Sequence, residues 1–141
     1  MSNSRIIEDK ELGLVVEIIN LHEDRKKESE YREKGSYFYV GRGTYLGNGF
    51  SFKPSKYEVA RVSTREESIE KYKEWIYEKV LYNTNQNNCI ELLVDRLVSQ
   101  KHIVLGCFCV PLQCHAEIIA EIVLKRAKER TEKMKELFDG N

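Results

Sequence analysis

Leu12 to Leu21 reads Leu-Gly-Leu-Val-Val-Glu-Ile-Ile-Asn-Leu, apolar and β-branched at most positions, which predicts a strand buried on both faces. The run His22 to Lys34 mixes charges without an apolar stripe and predicts a solvated connection or a short exposed helix. Ser36-Tyr-Phe-Tyr-Val40 is aromatic and β-branched and opens into the glycine-rich turn Gly41 to Phe50, so a second strand ends there. Tyr57 to Val62 reads as a short edge strand. Thr64-Arg-Glu-Glu67 has the spacing of a capping box, and Ile69, Tyr72, Ile76 and Val80 follow at helical spacing. Asn83 to Asn88 is polar and interrupts that period, which restarts with Ile90, Leu93, Val94, Leu97 and Val98 in a second helix whose polar face carries Glu91, Asp95 and Arg96. His102 to Cys109 predicts a third strand, stopped by Pro111. The final helix has an apolar face at Ile118, Ile119, Ile122 and Val123, and from Lys125 to Glu136 it is almost wholly charged, a segment expected to project into solvent or meet a partner.

This order predicts a small α/β domain: a three- to four-stranded, mainly parallel sheet with helices packed on it and a charged C-terminal helix over residues 125–141. At 141 residues, a single domain over 1–141 is expected to bury a substantial core. Lys plus Arg and Asp plus Glu both count 23, so no single-sign field attracts a nucleic-acid polymer. The charged N-terminus lacks a signal peptide's apolar stretch, and no apolar run reaches the length of a membrane span, so a cytoplasmic protein without a membrane partner is expected. Self-association is left open.

Chemistry concentrates in two places. The first is Cys107-Phe-Cys-Val-Pro-Leu-Gln-Cys-His115, between a strand's carboxyl end and a helix's amino end, where free amides and the helix dipole favour an anion. Three readings compete there. Cys107, Cys109, Cys114 and His115 have the number and softness for tetrahedral zinc, although all four lie within nine residues rather than in two separated pairs. Cys114 beside an imidazole at a helix start could be an activated nucleophile, with His115 as acid and base. The plain alternative makes Cys107 and Cys109 small core residues and leaves Cys114 and His115 as the pair a ligand could reach.

The second place is the turn Gly41-Arg42-Gly43 and Gly47-Asn48-Gly49, followed by Lys53 and Lys56. Glycines let backbone amides approach a phosphate and Arg42 can grip two oxygens, yet the pattern is neither a P-loop nor a dinucleotide fingerprint, and a solvated Gly-rich turn explains it equally well. Tyr72-Lys-Glu-Trp75 reads as core, and His22 and His102 stand isolated.

Val16-Glu-Ile-Ile-Asn-Leu21, Tyr39-Val-Gly-Arg42, Leu46-Gly-Asn-Gly-Phe50, Tyr72-Lys-Glu-Trp-Ile76 and the Cys107–His115 segment together resemble domain of unknown function 4326, a family seen in bacteria, phages and some eukaryotes. The family pattern has Pro, Trp and Pro where Gly49, Phe108 and Gln113 stand here. A second uncharacterised family of small α/β proteins ends in a similar Cys-rich strand and Cys-His helix start. The resemblance implies a shared site at Arg42, Asn48, Cys114 and His115 and supplies no reaction.

The leading expectation is binding of a small phosphate-bearing ligand, a nucleotide or ADP-ribose-like molecule, by Gly41, Arg42, Gly43, Gly47, Asn48, Cys114 and His115 without a resident cofactor. By analogy with phage members of such families, the purpose would be to sequester a host nucleotide immune signal. The alternatives are a nucleotide or ribosyl transferase or hydrolase using Cys114 or His115, and a zinc-stapled interaction module that uses the charged C-terminal helix.

Overall fold

The computed structural model describes residues 4–21, 25–51, 60–108 and 114–139. His22, Lys53, Lys56, residues 57–59, Cys109, Pro111 and Gln113, to which the sequence reading attached roles or element bounds, lie outside the described residues.

Ten elements follow in order: β1 (Arg5–Asp9), β2 (Leu14–Asn20), α1 (Arg25–Glu33), β3 (Tyr37–Tyr39), β4 (Phe50–Ser51), β5 (Ala60–Arg61), α2 (Arg65–Lys79), α3 (Asn85–Gln100), β6 (His102–Cys107) and α4 (Ala116–Asp139). The main sheet has the order β1-β2-β6-β3. β2 and β3 both run parallel to β6, with Ile18 opposite Leu105 and Tyr39 opposite Gly106, and β1 closes the edge antiparallel to β2. The expected mainly parallel α/β sheet is what forms.

β2 is buried on both faces because helices cover both. Leu14, Val16 and Ile18 join the main core with α2, α3 and α4, whereas Ile19, Leu21, Tyr37 and Val104 form a smaller cluster beneath Tyr31 of α1. On that second face Glu17 is buried, where it accepts from Lys27 Nζ at 2.6 Å and lies 3.2 Å from His102 Nε2. His102 is therefore not isolated.

Several boundaries differ from the sequence reading. β2 is shorter than Leu12–Leu21, because Gly13 turns the chain at φ 69° back from β1, a strand the reading lacked. β6 ends at Cys107. Of the predicted 57–62 edge strand, Ala60 and Arg61 pair parallel with β4 in a separate two-stranded sheet. α3 starts at Asn85, inside the predicted break, because Thr84 caps it by accepting from Asn87 N at 3.0 Å.

The charged half of α4 is also partly docked. Arg126 reaches Glu91, Asn87 and the Val80 carbonyl, and Arg130 reaches Glu91 and Asp95, so α3 and α4 are laced together up to that turn. Beyond it, residues 132–138 are exposed. Among the described residues no helix is long and apolar enough to cross a membrane.

Candidate functional site

Because β3 and β6 are parallel neighbours, their carboxyl ends finish side by side, and the chain leaving each one turns into the stretches singled out from sequence. A hollow of about 160 Å3 opens there, lined by Tyr39, Gly41, Arg42, Cys107, Phe108 and His115. Ligands of open α/β sheets sit at this end of the strands. The arginine turn and the thiol-imidazole corner thus meet around one space.

The Gly41–Gly47 turn is held from within and from below. Thr44 Oγ1 donates to the Gly41 carbonyl at 2.7 Å, Gly47 N donates to the Thr44 carbonyl at 3.0 Å, and the fully buried Tyr72 of α2 donates its hydroxyl to the Leu46 carbonyl at 2.6 Å. Gly43 lies at φ 92°, a conformation open to glycine, and a Cβ on Gly47 would collide with the Gly41 carbonyl oxygen and the Arg42 Cα. Capping supplies the frame: Thr64 accepts from Glu67 N at 3.1 Å, while the Glu67 carboxylate returns to Ser63 N at 3.2 Å, one residue before the cap itself.

Arg42 is half-buried, and its Nη1 atom is buried without a hydrogen-bond partner among the described residues. No described carboxylate pairs with it. A buried donor left in this state costs about 1–3 kcal/mol, and more when the group is charged.

His115 is 5% exposed and Cys114 1%. His115 Nε2 lies 2.6 Å from the Val40 carbonyl oxygen, so Nε2 carries the proton and donates. Nδ1 lies 3.7 Å from Cys114 Sγ, and Sγ in turn receives Ala116 N at 3.5 Å. The His115 ring stands edge-on to Tyr72, with centroids 5.0 Å apart. Glu117 N and Ile118 N bond the carbonyls of Cys114 and His115 at 3.1 and 3.0 Å. The opening amides of α4 are thus spent inside the protein, contrary to the expectation that they would face an anion, and the positive group at the hollow is Arg42.

Asn48 also works inward. Its Nδ2 donates to Ser68 Oγ at 2.8 Å and its Oδ1 accepts from Phe50 N at 2.8 Å, while Ser68 Oγ donates to the Phe50 carbonyl. It fixes the end of the turn onto α2 and does not line the hollow. Cys107 does line it, at 1% exposure. Among the described residues no group of three or more His, Cys, Asp or Glu side chains could hold a metal ion. Cys109 belongs to the undescribed stretch.

Sequence reasoning missed Tyr39 and Phe108, whose rings meet edge-on at 6.1 Å across the mouth of the hollow. Phe108 is 42% exposed. An aromatic directly after a buried strand was the available signal, and strand neighbours far apart in sequence hid its partner.

No curated protein and no solved structure matches the chain. A family model described as a domain of unknown function (DUF4326) matches residues 23–125, which take in the Arg42 turn, Tyr72, β6 and the Cys114–His115 helix start, so the chain belongs to the DUF4326 family.

Proposed function

We propose that this protein binds a small phosphate-bearing ligand, of the nucleotide or ADP-ribose-like class, with its phosphate in the hollow between Arg42 and His115. The observation that carries the proposal is Arg42, which lines the hollow and whose buried Nη1 has no hydrogen-bond partner among the described residues. A phosphate oxygen supplies the acceptor this guanidinium lacks, in a charge-assisted bond worth about twice a neutral one. The site's position at the carboxyl ends of parallel strands favours the same reading.

Binding without turnover fits the corner better than catalysis. The Cys114 thiol is 1% exposed, and a nucleophile needs access to its substrate. We therefore assign Cys114 and His115 to holding the end of β3 against the start of α4, which sets where Arg42 stands. Sequestering a nucleotide signal in the cytoplasm is one use of such binding.

Calorimetry with a panel of nucleotides and ADP-ribose tests the reading. Saturable heat and a raised melting temperature are expected for at least one of them, with both lost in Arg42→Gln. No heat from any member and an unchanged melting temperature would contradict it.

A further inference from the structure

A second and larger cavity adjoins the anion hollow. Its volume is about 520 Å3, within the range of small-molecule sites, and Tyr39 lines both spaces. Tyr39 and Val40 wall it on one side, Thr44 and Tyr45 of the glycine turn on another, and Leu92 and Leu93 of α3 on a third. None of its described lining residues carries a charge. Leu92 is 53% exposed and Tyr45 57%, large apolar side chains left facing water at the mouth of an apolar cleft.

The two spaces differ in what they can accept. The hollow offers one guanidinium in about 160 Å3, and the cleft offers three times that volume with apolar walls. A ligand occupying both must be charged at one end and flat, apolar and neutral at the other. A bridging pyrophosphate would bring further negative charge against walls that hold no second cation among the described residues. Resting on the phosphate reading of Arg42, we infer that the ligand is a nucleoside monophosphate, with its phosphoryl group on Arg42 and its base in the cleft between Tyr45 and Leu92.

The lining also fixes how the base is read. The Thr44 hydroxyl donates to the Gly41 carbonyl, and the rest of the wall offers mainly ring faces and methyl groups. Recognition is by stacking and apolar contact, which tolerate every base, with little reading of hydrogen-bonding edges. Purine and pyrimidine monophosphates bind within about tenfold of one another, the purines more tightly through their larger ring area.

Protein-observed NMR titrations with inorganic phosphate and with adenosine, guanosine and uridine monophosphates separate the two layers of the argument. All the monophosphates are expected to bind at least about tenfold more tightly than inorganic phosphate. Leu92→Asp, at an exposed position that spares the core, should erase that advantage and leave phosphate affinity unchanged, and Tyr45→Ser should reduce it. Equal affinity for phosphate and the monophosphates, or a full advantage retained in Leu92→Asp, overturns the inference while leaving the Arg42 phosphate site standing. Failure of the underlying reading looks different: phosphate does not bind, or binds Arg42→Gln as well as the parent. A pyrophosphate-bridged ligand such as ADP-ribose binding more tightly than every monophosphate also overturns the inference.

Discussion

His115 donates from Nε2 to the main-chain oxygen of Val40 at 2.6 Å, across 75 residues of sequence. The bond joins the start of α4 to the residue before the Gly41–Arg42 turn, so a helix terminus and a strand terminus share one anchor. His115→Phe keeps the ring's bulk and its edge-on packing with Tyr72 but leaves the Val40 carbonyl buried without this donor. It is expected to cost about 1–3 kcal/mol in urea unfolding and to weaken phosphate binding by displacing Arg42. A variant as stable as the parent would show that the anchor contributes nothing.

Two buried tyrosines should respond in opposite ways to loss of the hydroxyl. Tyr72 donates to the Leu46 carbonyl at 2.6 Å, whereas the Tyr37 hydroxyl is buried with no partner among the described residues. Tyr72→Phe is expected to lose about 1 kcal/mol and to loosen the turn, and Tyr37→Phe to be neutral or stabilising. Equal losses in the two variants, measured by the same denaturation curves, would contradict this contrast.

The same phenols give the protein an alkaline limit. Burial pushes Tyr37 from 10.0 up to about 12, and burial first, then the nearby Cys114, raises Tyr72 well above its ordinary value. Between pH 10 and about 12 the unfolded chain has released the Tyr37 proton that the folded chain keeps. The unfolded state then binds fewer protons, so stability falls as pH rises through that window, and below pH 10 the contribution is fully present. Tyr37→Phe should flatten part of the decline above pH 10, seen as a smaller loss of urea midpoint per pH unit. An unaltered slope would remove Tyr37 as a cause.

The lacing of α4 onto α3 predicts unequal effects from its two arginines. Arg126 serves Glu91, Asn87 and the Val80 carbonyl with its side chain 27% exposed, while Arg130 serves only carboxylates at 35% exposure. Arg126→Ala is expected to lose about 1–2 kcal/mol and Arg130→Ala less than about 1 kcal/mol, the latter shrinking further in high salt. Thermal unfolding at low and high salt checks both, and a larger loss from Arg130→Ala would reverse the assignment.

Sequence legibility followed how local each signal is. Thr64 and Glu67 announce α2 because capping is settled within four residues, and the β-branched run at Leu14–Asn20 announces a doubly buried strand whatever covers it. β1 escaped notice because Arg5-Ile-Ile-Glu-Asp9 lacks the polar–apolar alternation of a strand, and pairing with β2 rather than its own pattern makes it one. The onset of α3 was set too late because its first turn faces water and can be polar. Arg126 and Arg130 looked solvated because their partners lie 35 to 46 residues earlier. At the site, Arg42 and His115 could each be named from sequence, but their shared hollow depends on β3 and β6 being neighbours. Asn48 was half legible: the sequence placed it among the ligand-binding residues, and its amide is engaged with Ser68 and Phe50 N.

Side-chain nitrogen NMR of the arginines during titration with inorganic phosphate asks the central question without assuming a ligand's identity. The Arg42 guanidinium signals should shift saturably together with the His115 ring signals, while those of Arg126 and Arg130, engaged at α3, stay in place. Arg42 signals unmoved by phosphate, while the others respond only as surface charges do, would contradict an anion site at this hollow.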